Sequence, residues 1–490
     1  MTFPNVDLEA IGGNPRASFW AVAGTSLLCS IASILALFFW LHHNPTVNLV
    51  AEVPGHDGLP TGNAAKKTKI DLAGIFATYD GKPSSAPGAW PNFRGADFSN
   101  VVADAPKLAD SWGEGGPKVL WTTAVGDGYA APAVLDGRVY LMDYDTKGRA
   151  DAIRCFSLDD GKEIWRRSYN NNIKRNHGMS RTIPAVTKDH LVVMGPKCHV
   201  LCLDPVSGDF KWGIDLQVDY GTVEPLWYAA QCPIIDNGQV IVAPCGRDVL
   251  MMGVDCATGE VKWKTPNPNG WNMSHASIVP MTLLGKRMYV YGALGGMVGV
   301  SAEPATAGAV LWEIPWDAKV VAPSAIHVGD NLVFAAAGYG RGSRLLKLTD
   351  APGKISVEVV YDKTPDKVLA CEQQTPIFHD GLLYGIMPKD AGSLKGQFVC
   401  YKPDGTLVWS SGQDNRFGLG PFILADNKFY LLGDEAELTM IDATKQEYVQ
   451  LGHADILPGH DAWGPFALAG SRLLLRDMNT LACVELGTAS

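Results

Sequence analysis

The sequence predicts an all-β fold, an eight-bladed β-propeller of four-stranded antiparallel blades, preceded by one N-terminal transmembrane helix. Three observations predict it. A Pro-led hairpin phrase recurs eight times, a Gly-x-x-x-Trp phrase follows most copies, and an uncharged apolar run lies near the N-terminus. The 490 residues include 53 Gly and 31 Pro, which suits a chain of many turns and fits a helical bundle poorly. The hydrophobic fraction of 47% is ample for a core and excludes wholesale disorder. A net charge of -10 with no Lys/Arg cluster excludes a general nucleic-acid binder.

Residues 1–18 form a short N-terminal tail. Residues 19–41, FWAVAGTSLLCSIASILALFFWL, carry no charge and are long enough to cross a hydrocarbon core. Trp20 and Trp40 bracket them as interface aromatics. A cleaved signal peptide has a shorter apolar region behind a basic leader, whereas Asp7 and Glu9 precede this one. A lipobox-like reading at Leu27, Leu28 and Cys29 conflicts with the apolar residues that follow. Arg16 precedes the span and no Lys or Arg follows until Lys66, which favours a cytoplasmic N-terminus. A single membrane crossing with the large domain outside is therefore expected, which in a bacterium means the inner membrane with the propeller in the periplasm. Residues 42–89 read as a flexible Pro/Gly-rich spacer, with a short helix allowed around 70–78.

Residues 90–487 form the propeller. The hairpin phrase begins at Pro132, Pro184, Pro233, Pro280, Pro323, Pro376, Pro421 and Pro465, spaced 43 to 53 residues apart. Each copy is two short apolar strands around a tight turn, with Pro at the strand start, where its missing N–H does little harm. A third strand, a turn ending in Gly and a fourth strand then lead to Trp165, Trp212, Trp263, Trp312 and Trp409. The fifth and seventh repeats lack this Trp. One position in every copy implies one structural job, packing against the next repeat. The last repeat supplies three strands only. Residues 117–125, PKVLWTTAV, carry Trp121 and are expected to close the ring by pairing with the last blade.

The Gly-x-x-x-Trp endings resemble the tryptophan-docking repeat of pyrroloquinoline quinone (PQQ) propellers, shared by quinoprotein alcohol dehydrogenases and BamB-type outer-membrane assembly lipoproteins. The segment AWPNFRGADFSNVV, residues 89–102, also looks like the W-P-x-F-R-G opening of bacterial PQQ-like repeat proteins. The resemblance covers about residues 90–487. It implies the fold, and either a binding scaffold for a protein partner or small ligand at the rim, or a quinoprotein that oxidises an alcohol or sugar with PQQ and Ca²⁺. The dehydrogenases carry two adjacent Cys over the cofactor, and no two of the ten Cys here are adjacent. Cys155, Cys202 and Cys400 share one third-strand position and read as core residues. Cys232 and Cys371 adjoin first strands and are the better candidates for functional thiols.

First strands line the channel of a propeller, so site residues are expected just before the eight Pro markers. Those loops hold Tyr129, His177, Arg181, Trp227, Tyr228, Gln231, Trp271, Asn272, His275, Lys319, Glu372, Gln373, Gln374, Arg416, His460, Asp461 and Trp463. Aromatic faces suit a planar ring, Arg and Lys suit carboxylates, and amides suit carbonyls. Were the chain a quinoprotein, Asp461 would be the catalytic base and Glu372 with Asn272 the cation ligands.

Overall fold

The computed structural model describes residues 15–42, 70–173, 177–352, 354–444 and 446–488. The chain divides into two units, Met1–Val53 and Pro54–Ser490. In the first, one α-helix runs Pro15–His42. Proline suits a helix start, because its fixed φ is already helical and its absent N–H has no intrahelical partner there. Within it, Trp20–Leu41 is an uncovered apolar stretch of 22 residues. At 1.5 Å per residue that is about 33 Å, enough to cross a bilayer.

The second unit carries eight antiparallel blades. The first consists of Ala133–Leu135, Arg138–Asp145, Ala150–Ser157 and Glu163–Asn170, paired in that order from the axis outwards. Blades two to seven repeat the pattern over 185–215, 234–266, 279–316, 326–363, 377–410 and 422–455. The eighth takes its inner strands from 467–485 and its outer strand from Lys118–Ala124, which pairs with Thr480–Glu485. The ring thus closes on the expected segment, leaving no open edge at the junction of first and last blades.

The tryptophans sit at one geometrical position. Trp165 faces Cys155, Trp212 faces Cys202 and Trp409 faces Cys400 across the third and fourth strands, while Trp121 faces Cys483. Trp263 and Trp312 face Gly253 and Gly299 instead. A small residue is needed there because the indole folds back over it: a Cβ on Gly299 would lie 2.0 Å from Trp312 Nε1. The rings then reach the neighbouring blade's turn glycine, Trp121 over Gly161, Trp165 over Gly208, Trp212 over Gly259 and Trp263 over Gly308. The indole N–H of Trp121 donates to Leu158 O at 3.0 Å and that of Trp212 to Cys256 O at 2.8 Å. Where the repeat lost its Trp, other residues fill the place. In the fifth blade Tyr361 occupies it and donates to Pro403 O of the sixth at 3.1 Å. In the seventh, Gly452 faces Met440 and the ring of Trp112 lies against it.

The described half of the expected spacer is structured. Ile75–Thr78 is a β-strand, not a helix, and pairs antiparallel with the outer strand of the first blade. The alternation of Ile75 and Ala77 with Phe76 and Thr78 allows one face to cover Trp165, which lies 6.3 Å from Phe76. Residues 43–69 of that spacer lie outside the described residues. Residues 90–102 then cross the axis. Trp90 bridges Val134 of the first blade's inner strand, Val186 N of the second donates to Pro91 O, and Val101–Val102 pairs parallel with the inner strand of the seventh. Arg94 donates to the carbonyls of Phe98, Ser99, Thr375 and Pro376. This segment is a plug beneath the central channel, tied to the inner strands of blades one, two and seven and to the loop entering blade six.

Candidate functional site

Above the plug lies a cavity of about 290 Å³. Every one of the eight loops that lead from one blade to the next contributes to its wall, and Phe93, Arg94 and Asn100 of the plug line it too. Of the residues expected from sequence, His177, Arg181, Trp227, His275, Glu372, Gln373, Gln374 and Trp463 line it together. Tyr129 does so as well.

Two stacked aromatic pairs stand in the wall. Tyr129 and Trp463 have ring centroids 5.2 Å apart, and Trp227 and Tyr339 5.7 Å apart. Each is held by polar contacts. Trp463 donates its indole N–H to Asp434 Oδ1 at 2.7 Å, and Gln374 Nε2 donates to Trp463 O at 2.9 Å. Tyr129 lies 2.7 Å from His177 Nδ1. Gly178 N–H also points at that nitrogen, so Nδ1 accepts from both and the imidazole proton sits on Nε2.

Arg181 holds a distinctive position. Its Nε donates to Trp227 O at 2.5 Å and its guanidinium lies 4.7 Å from the Tyr129 ring centre. Its Nη2 is buried without a partner, and no described carboxylate pairs with it. Burial lowers its pKa to about 10, so it stays a cation at neutral pH. The other described cations of the wall are compensated. Arg94, lowered to about 9 by burial, is surrounded by carbonyls, and Lys389 Nζ lies 3.4 Å from Glu372 Oε1 and 4.9 Å from the Tyr339 ring centre. His275 is neutral: burial, and then Arg181, push its pKa down to about 4. Its Nε2 contacts Leu226 O and must carry the proton, leaving Nδ1 as a buried acceptor without a partner.

The remaining expected residues lie elsewhere. Gln231 is fully buried, its amide exchanging hydrogen bonds with Ala243 and reaching Tyr291. Trp271 packs on Gly295 and Gly296, and Asn272 is exposed, its backbone bridging Leu294. Lys319 and Arg416 are exposed, the latter bonded to Gln413 and the Lys395 carbonyl. His460 and Asp461 pair with each other at 3.4 Å outside the wall. Loop polarity alone did not tell which side chains turn inwards.

This bears on quinone chemistry. Glu372 lines the cavity but Asn272 does not, and no described group of three or more His, Cys, Asp or Glu side chains is placed to hold a metal. Of the cation ligands and base expected for a quinoprotein, Glu372 lines this cavity, and Asp461 lies beside it near Tyr129. Cys232 lines the wall alone, and burial raises it to about 11 and Cys371 to about 12, so both are thiols at neutral pH.

Tyr339, Lys389 and Arg94 escaped the sequence rule for two reasons. Tyr339 and Lys389 come from loops between second and third strands, which open on the same face as the loops before the Pro markers. Arg94 comes from the plug, whose course is set by contacts hundreds of residues away in sequence.

The family model described as outer membrane protein assembly factor BamB matches residues 149–355. No curated protein matches. Among solved structures, the quinohemoprotein alcohol dehydrogenase ADHIIG of Pseudomonas putida HK5 is similar with a TM-score of 0.56 at 13% identity, over 83% of this chain and 81% of that one. A europium-containing methanol dehydrogenase matches at 0.56 and 11%, over 80% and 89%. BamB from Moraxella catarrhalis matches at 0.50 and 12%, over 75% and 99%. At these identities the likeness is one of fold.

Proposed function

We propose that this chain, a PQQ-like β-propeller repeat protein, is a membrane-anchored binding module whose axial cavity takes a small anionic, ring-bearing ligand. The observation that carries this is Arg181, a buried cation in the cavity wall with no described carboxylate partner and with its Nη2 unsatisfied. A buried charge is costly unless paired, and a bound anion supplies the pair. The stacked pairs Tyr129–Trp463 and Trp227–Tyr339 offer faces for a flat ring beside it.

The apolar helix Trp20–Leu41 supports anchoring in a bacterial inner membrane, and Arg16 before it supports a cytoplasmic N-terminus with the propeller in the periplasm. The matched family model supports an extracytoplasmic scaffold that also engages a protein partner through its rim. Catalysis has less support, because Asp461 and Asn272 lie outside the cavity that holds Glu372.

The test is calorimetric titration of the full chain in detergent with benzoate and with its neutral isostere benzamide. Preference for benzoate that disappears in Arg181→Leu supports the reading, and equal affinity for the two compounds refutes it.

A further inference from the structure

Glu372 is only 4% exposed, yet its Oε2 has no hydrogen-bond donor, while Oε1 faces Lys389 Nζ at 3.4 Å. On the wall formed by an earlier loop, His275 Nδ1 is a second buried acceptor without a donor. Buried acceptors in folded proteins are almost always satisfied, by water or by a ligand. Among the described residues of the wall, the buried side-chain atoms without a partner are thus one donor, Arg181 Nη2, and two acceptors. A ligand built only of carboxylates and carbonyls answers the first and repels the second, since it sets lone pairs against Glu372.

We propose that the ligand is a ring-bearing acid that also carries hydroxyl groups, its acid seated at Arg181 and its hydroxyls donating to Glu372 and His275. This rests on the anionic reading above and specifies its ligand class. Hydroxyls suit Glu372 better than an ammonium group, because Lys389 already supplies positive charge to that carboxylate. Tyr339 lies between the two poles, stacked on Trp227 and capped by Lys389 at 4.9 Å, so a ring beside it can present groups to both. A site built to accept from a hydroxyl rejects the analogue lacking it far more strongly than an apolar pocket does, because the protein acceptor is then left buried and bare.

The experiment titrates the full chain in detergent with 3,4-dihydroxybenzoate, benzoate and catechol, which carry both features, the acid alone and the hydroxyls alone. The expected result is at least tenfold tighter binding of 3,4-dihydroxybenzoate than of benzoate. In Glu372→Leu that ratio falls below threefold, and benzoate binds no more weakly than to the unaltered chain, because loss of the carboxylate leaves Lys389 unpaired. Should Glu372→Leu fail to fold, Glu372→Gln, which turns one acceptor into a donor, serves the same comparison. Equal binding of dihydroxybenzoate and benzoate by the unaltered chain overturns this proposal and leaves the anionic reading standing. Catechol binding as tightly as dihydroxybenzoate, or no binding of either acid, overturns both.

Discussion

Trp227 and Tyr339 stack in the wall of the central cavity, their rings 5.7 Å apart and 20° from parallel, although one comes from the loop entering the third blade and the other from within the fifth. Trp227 adopts a left-handed backbone, φ 60, that a bulky residue rarely tolerates. Its carbonyl receives Arg181 Nε at 2.5 Å, and Tyr339 covers its ring. Strain of this kind persists where surrounding contacts over-determine it, and here those contacts aim the one uncompensated cation among the described residues of the wall.

Tyr339→Ala removes one face of that stack. Because Tyr339 is itself 43% exposed, the fold should lose no more than about 1.5 kcal/mol in denaturant unfolding. Benzoate affinity should fall several-fold in the same variant. A large loss of stability with unchanged affinity would show that the pair is structural only.

The blade-to-blade contact of the tryptophans is separable from the cost of a left-handed backbone. Gly208 and Gly238 have nearly equal φ, 74 and 72. A Cβ on Gly208 meets Phe76 at 2.6 Å and Trp165 at 2.9 Å, whereas one on Gly238 meets nothing within 4 Å. Gly238→Ala should therefore cost about 1 kcal/mol, the backbone term alone. Gly208→Ala should cost several kcal/mol by overpacking as well. Equal losses in thermal unfolding would count against the indole contact as a source of stability.

Trp112 substitutes for the tryptophan that the seventh blade lacks, its ring against Gly452 and 6.3 Å from Tyr430. Trp112→Ala should destabilise by about 2 kcal/mol, less than a fully buried indole because the residue is half-buried. Hydrogen exchange should rise in 450–455, the strand it covers, and an unchanged rate there would contradict the assignment.

His275 makes stability depend on pH. Its ordinary pKa is 6.5, and burial holds the folded value near 4. Above pH 6.5 neither folded nor unfolded imidazole is protonated, and the group contributes no slope. Between pH 6.5 and 4 the unfolded chain takes up a proton that the folded one refuses, so stability falls as pH falls, by about 3 kcal/mol at most. In His275→Gln the loss between pH 7 and pH 4.5 should be smaller than in the unaltered chain. Identical slopes would mean that the imidazole takes up its proton as readily in the fold as in the unfolded chain.

The ring, its closure and the position of the site were legible because they repeat. Eight Pro markers and six aligned tryptophans set strand order without any long-range information, and the three strands of the last repeat required a fourth from Lys118–Ala124. The plug was not legible. Arg94 and Asn100 are bound by residues about 280 and 320 positions away, and nothing local in WPNFRG states that it crosses a channel. Nor was the inward turn of particular side chains. Lys319, Arg416 and Arg181 are equivalent as charges in rim loops, and only packing distinguishes the one that lies over Tyr129 from the two that face solvent.

The most direct test of the account is the ratio of benzoate to benzamide affinity in the unaltered chain and in Arg181→Leu. A charge-assisted hydrogen bond to a desolvated guanidinium contributes about 1.5 to 3 kcal/mol, so the ratio should be of order ten to one hundred and should collapse towards one in the variant. A ratio near one in the unaltered chain, or one that survives the loss of Arg181, would contradict an anionic site on the propeller axis.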